Sequence, residues 1–216
     1  MTQLNLEQLK RLQVQRASLV KLNDYLNKPK ILLAVTVLQK NQQLRAGGVL
    51  YDLETKMQLN SLLGNHSPVS SPYISGFLSL RNKMPLLNII AKFHKFDLLM
   101  VEGAGRQHPR HYGLACDLGV DLDIPTIGIT KKSLYGKIDF SKSLDKRGSS
   151  FDLYPVYDRN DLIAYFIKRP KNKKGLFLSI GHKISLETAV DITLPLLEHT
   201  LPEPLYLVKM LLKNSN

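Results

Sequence analysis

The sequence predicts an α/β fold built on one mixed sheet, and three features carry the prediction. β-rich runs at residues 31–38, 46–53 and 57–63 are joined by short polar connections, which implies an antiparallel meander. A later strand, helix and strand, at 98–101, 109–118 and 126–129, imply a right-handed parallel crossover. No repeat, heptad run or long linker divides the 216 residues, so residues 1–216 are expected to form one domain, with helices flanking the sheet.

Taken in order, residues 4–27 carry Leu4, Leu6, Leu9, Leu12, Leu19, Leu22 and Leu26 among Lys, Arg and Gln, at a spacing closer to helix than to strand. This is an amphipathic leading helix within residues 1–29. After Pro29, the polar segment 39–45 suits a hairpin loop, and Glu54, Thr55 and Lys56 form the next turn. Residues 77–93 return to helical spacing and lead into the apolar strand that ends at Glu102. Residues 139–160 read as an irregular surface excursion containing Gly148, Ser149 and Ser150. Strands at 162–167 and 176–180 flank a basic loop, 168–174. A helix over 185–199 follows, capped by Ser185, with Glu187 placed to complement the helix dipole.

Composition narrows the function classes. A hydrophobic fraction of 44% supplies a core without disulfides, and the lone Cys116 has no internal partner. No apolar leader follows Met1, and the longest apolar stretches, such as 31–38, are too short to span a bilayer. An intracellular, reducing location is expected. Thirty Lys plus Arg against 18 Asp plus Glu leave a net charge of +12. Clustered cations release counterions from phosphates, so a polyanion is one reading; a lysine-rich solvated surface is the other.

Chemistry concentrates at the ends of two strands. Glu102 stands where strand 98–101 meets its carboxyl end, the edge at which ligands bind in open α/β sheets, and Gly103 and Gly105 permit close backbone approach. His108 and Arg110 flank an expected helix start suited to anions. Lys131 and Lys132 close the neighbouring parallel strand. Each fragment alone reads equally well as an ordinary loop.

Together the segments resemble the endonuclease V family. The matching runs are Pro72-Tyr73-Ile74-Ser75-Gly76-Phe77-Leu78-Ser79-Leu80-Arg81, then Val101-Glu102-Gly103 through His108-Pro109-Arg110, then Gly113-Leu114-Ala115-Cys116. Pro125-Thr126-Ile127-Gly128 to Lys131-Lys132, Gly181-His182-Lys183-Ile184-Ser185-Leu186-Glu187 and Leu201-Pro202-Glu203-Pro204 continue them, in order, between about residues 31 and 206. The resemblance implies a ribonuclease H-like fold, with antiparallel strands first and parallel strands after. It also implies a nuclease dependent on Mg²⁺ or Mn²⁺ that recognises hypoxanthine in DNA or inosine in RNA. Such enzymes hydrolyse a phosphodiester on the 3′ side of that base, in DNA repair or RNA processing.

By the same resemblance, Tyr73, between Pro72 and Ile74, is the wedge that fills the gap left by the extruded base. His108 and Lys131 match positions that contact the site or its phosphate, and His182 matches an active-site histidine. Backbone amides of Gly103 to Gly105 and at Gly113 are expected to line the base pocket, with Lys132 and Lys137 as further phosphate contacts. The departures fall on the metal ligands. Thr36 and Asn82 stand where the family carries acids, Glu102 replaces an aspartate, and Ala104 replaces a polar residue. One carboxylate, Glu102, remains for a metal. The expected function is nucleic-acid binding with weak or no cleavage. The alternatives are an active Mg²⁺-dependent endonuclease that recruits acids such as Asp52 or Glu54, and a protein-interaction module on a nuclease fold.

Overall fold

A computed structural model describes residues 5–25, 28–144, 150–171 and 174–215. Leu4 and Leu26 of the predicted leading helix, Gly148 and Ser149 of the predicted excursion, and Lys173 of the basic loop lie outside the described residues. Among the described residues, nine strands form one mixed sheet. They are β1 (Ile31–Lys40), β2 (Gln43–Asp52), β3 (Met57–Pro68), β4 (Leu98–Glu102), β5 (Thr126–Thr130), β6 (Lys137–Ile138), β7 (Asp152–Asp158), β8 (Asp161–Lys168) and β9 (Gly175–His182). The helices are α1 (Leu6–Ala17), α2 (Leu78–Ile90), α3 (Leu114–Leu122), α4 (Leu186–Thr193) and α5 (Glu203–Asn214). The spatial order of strands is β3-β2-β1-β4-β5-β9-β8-β7-β6. The first three strands are antiparallel, β1, β4 and β5 run parallel, and β9 rejoins antiparallel to β5.

The pleat sends alternate side chains to opposite layers. Leu32, Ala34, Leu98, Met100, Ile127 and Ile129 pack with α4 and α5 through Val190, Leu205, Val208 and Leu212. Leu33, Val35, Leu99 and Val101 pack on the other face with Leu86 and Ile89 of α2 and Leu114 and Leu118 of α3. Among the described residues no helix is long and apolar enough to cross a membrane.

Several elements differ from the sequence reading. The leading helix stops at Ala17 because the next residues bond elsewhere: the Lys21 amide donates to His182 Nδ1 and the Lys21 carbonyl accepts from Lys183. Leu19 and Leu22 stay exposed, so no apolar face extends it. The hairpin loop shrinks to Asn41 and Gln42, both at positive φ, the geometry of a two-residue turn between twisted strands. Residues 109–113 are turns, with His111 at φ 50°, and α3 begins only after Gly113. The expected excursion contains β7, whose buried Leu153 and Val156 pack into two different core clusters. The helix expected over 185–199 keeps its Ser185 cap but ends at Thr193, passing into a 3₁₀ turn at Pro195, which has no amide hydrogen to donate. The sequence reading did not include α5.

One tie fixes the loop between β4 and α3 to the segment before α2. His108 is buried, its Nε2 donates to the Gly76 carbonyl at 2.9 Å, and its Nδ1 accepts the Arg110 amide at 3.2 Å. That pairing fits the neutral ring alone, since a second proton would face the Arg110 N–H. Burial lowers the His108 pKa from 6.5 to about 4. As pH falls through that interval the unfolded chain takes up the proton first, so stability is full above 6.5 and drains toward 4. The expected loss is about 3 kcal/mol. Urea unfolding across the window should show this slope in the wild-type protein and lose that share of it in His108→Gln.

Candidate nucleic-acid interface

The strand register builds the site. Val35 lies opposite Val101 in the parallel pair of β1 and β4, so the next residues, Thr36 and Glu102, emerge together at the carboxyl end and on the α5 face. Lys131 follows β5 in the same alternation as Ile129. The apolar stripe Leu205, Val208 and Leu212 seats α5 on that face and brings Lys209 over the strand ends. Thr36 Oγ1 donates to Glu102 Oε2 at 2.7 Å, and Lys209 Nζ donates to Glu102 Oε1. Burial and then the Lys209 charge depress the Lys131 pKa, while Glu102 opposes them.

These groups border a cavity of about 570 Å³ that is large enough for a base and its phosphate. Tyr73, Ser75 and Gly76 form one wall, and Gly103, Ala104, His108, Gly113 and Leu114 another. Lys132 completes the cationic side. Tyr73 is 61% exposed, and the Arg81 guanidinium lies 5.4 Å from the centre of its ring. Pro72 is exposed beside it and Ile74 half-buried; neither lines the cavity.

Of the glycines expected at the pocket, Gly103 and Gly113 line the cavity and Gly105 does not. A Cβ on Gly105 would lie 2.0 Å from the Ile180 carbonyl oxygen, so this residue is a packing contact behind the cavity. Its amide donates to Ser179 Oγ at 2.9 Å, that of Gly103 is shared between the Val101 and Ile129 carbonyls, and that of Gly113 bonds the Gly105 carbonyl. These amides are thus already engaged within the protein.

Other expected residues are dispersed. Arg110 is a tie: it donates to Gln13 at 2.5 Å and to the Gly76 carbonyl at 2.8 Å, and its guanidinium covers the Phe77 ring. Lys137 lies on exposed β6, outside the cavity lining. His182 pairs across the sheet with Thr126, whereas Glu102 lies level with Ile129 and Leu178; three residues of β5, about 10 Å along the strand, and two strand spacings separate them. There His182 is held by the Lys21 amide and Asp123, and burial lowers its pKa. In the basic loop Lys168 is paired with Asp152, and Arg169 donates to the Leu197 and Glu198 carbonyls.

The donor set does not fit a hard divalent cation. Mg²⁺ and Mn²⁺ need anionic oxygens, yet the cavity offers the Glu102 carboxylate, which already carries an ammonium. Asn82 is buried on α2, where its Oδ1 accepts from Arg81 Nε, and it does not line the cavity. Asp52 pairs with Ile31, five residues before Thr36, and caps the Glu54 and Thr55 amides. Both candidate replacement acids therefore sit at the far end of β1, about 16 Å from the Glu102 level. No group of three or more His, Cys, Asp or Glu side chains able to hold a metal occurs among the described residues. The sequence reading missed Lys209. The spacing of Leu205, Val208 and Leu212 after Pro202 and Pro204 was the available signal for a helix carrying it.

Comparison with known proteins agrees with this architecture. The endonuclease V family model matches residues 15–209. Endonuclease V of Dictyoglomus turgidum is 40% identical over 146 residues, 67% of this chain and 62% of the relative. That of Methanopyrus kandleri is 35% identical over 178 residues, 82% and 75% of the two chains. The match thus spans less than two thirds of the Dictyoglomus protein's length. Human ENDOV superposes with a TM-score of 0.83 at 23% identity, covering 98% of each chain. Endonuclease V of Ciona intestinalis, solved with a 24mer DNA containing an inosine followed by a ribo-adenosine, superposes with a TM-score of 0.78 at 22% identity over 97% of each chain. With a family model covering nearly the whole chain and relatives above 30% identity, this chain belongs to the endonuclease V family.

Proposed function

We propose that this protein binds DNA or RNA carrying a deaminated base, hypoxanthine or inosine, and cleaves it weakly or not at all. The observation that carries this reading is a cavity with an exposed aromatic ring on its rim and a single carboxylate, already engaged, where a metal would have to sit. Tyr73 offers a stacking face to the neighbours of an extruded base. Lys131 and Lys132 supply phosphate contacts, and the net charge of +12 adds long-range attraction for the strand. The inosine-containing DNA in the Ciona relative supports the choice of ligand.

Holding and cutting make different demands. Phosphate capture needs cations and hydrogen-bond donors, which the cavity has. Hydrolysis in a metal-dependent nuclease also needs a Lewis acid to polarise the phosphate and generate hydroxide, and these side chains do not fit one. The reading therefore separates recognition from chemistry.

Competition binding with inosine-containing and undamaged strands should show tighter binding of the former; equal, negligible affinity for both at low salt would overturn the proposal. Tyr73→Ala should weaken binding by about tenfold to a hundredfold, the loss of one base–aromatic stack, while Lys137→Ala should change it little. With Mg²⁺ or Mn²⁺, the wild-type protein should yield no more product than Glu102→Gln; a metal-dependent product absent from that variant would contradict the reading.

A further inference from the structure

We propose that the Lys209 ammonium, seated on Glu102, is this chain's permanent substitute for a divalent cation, and that with Lys131 it binds a nucleic-acid phosphate without metal. The ligand rests on the function proposed above; the claim about metal does not.

Three observations carry the inference. First, Lys209 is positioned rather than free. It follows Val208 on a helix anchored by the buried Leu205, Val208 and Leu212, and its partner carboxylate is oriented from the other side by Thr36. Second, the local charge suits an anion. Lys209 balances Glu102, and neither Lys131 nor Lys132 makes an ion pair among the described residues, so three ammonium groups and one carboxylate leave the cavity at +2. Lys213, one helical turn beyond Lys209, adds to the field felt by Lys131. A divalent cation would meet this excess as repulsion, whereas a phosphate monoanion would meet it as attraction. Third, donors remain. An ammonium carries three N–H groups, and the Glu102 bond uses one of those on Lys209. A lysine so placed can grip a phosphate oxygen, but, unlike a metal ion, it does not coordinate a water molecule and lower its pKa. The arrangement thus holds a strand and leaves it intact.

Two measurements on the full chain decide the matter, and their failures differ. Calorimetric titration with Mn²⁺ alone should show no saturable binding to the wild-type protein. Lys209→Asp, which places a second carboxylate beside Glu102, should acquire it. Saturable Mn²⁺ binding by the wild-type protein that disappears in Glu102→Gln would overturn the substitution. For the phosphate, affinity for an inosine-containing oligonucleotide should be the same in EDTA and in Mg²⁺. Lys209→Met should weaken binding about tenfold, the loss of one charge-assisted hydrogen bond. It should also reduce the slope of log affinity against log salt by about 0.7, one single-strand phosphate contact. Lys209→Arg, which keeps the charge, should retain most of the affinity and shows that loss in Lys209→Met is not misfolding. Unchanged affinity and slope in Lys209→Met, or wild-type binding that requires Mg²⁺, would overturn the phosphate role. If no variant binds any oligonucleotide, the proposed function fails, and the Mn²⁺ titration still decides the metal claim.

Discussion

The Glu102 carboxylate, held between the Thr36 hydroxyl and the Lys209 ammonium, joins β1, β4 and α5 at one corner of the sheet. The Glu102 side chain is only 20% exposed, so the pair lies in a less screened environment than a surface salt bridge. Removing either partner would leave a charge short of solvent, which costs more than the ~0–1 kcal/mol of an exposed pair. The same contact closes the cavity's acidic pole. The proposed capture of phosphate rests on that carboxylate being already paired.

The pleat explains why this corner can be rebuilt without disturbing the fold. Thr36 and Glu102 stand just past the last parallel pair of β1 and β4, whose earlier members on that face, Leu32, Ala34, Leu98 and Met100, are fully buried. β-branched Thr36 suits the interior of β1 and donates to Glu102, and Asn82 finds a partner in Arg81, so local hydrogen bonds satisfy both side chains. The overall charge of +12 would add longer-range attraction for the proposed polyanion, toward a cavity whose own balance is also positive.

Much of this was legible in the residues. Alternating and continuous apolar runs marked β1, β2 and β4, Ser185 announced the start of α4, and the strand-end position of Glu102 followed from the apolar run before it. Tyr73, which the resemblance marks as the wedge, is exposed on the cavity's rim. What stayed hidden depends on distance in sequence. Lys209 reaches Glu102 across 107 positions, and no local pattern announces such a contact. His182 lies in a long matching segment, yet adjacency in a motif does not say which end of an antiparallel strand faces the cavity. Gly105 shows a similar limit: its lack of a side chain answers to the Ile180 carbonyl behind it, not to a ligand in front. The leading helix ended early because Lys21 is drawn to His182 and Lys183, a tertiary demand that leucine spacing does not encode.

The central claim is that a lysine ammonium occupies the place a divalent ion would need. Anomalous diffraction from crystals grown or soaked in Mn²⁺ tests it most directly. No manganese peak is expected in the cavity, and continuous density is expected between Lys209 and Glu102. A manganese peak bound to Glu102, with Lys209 swung away, would contradict it.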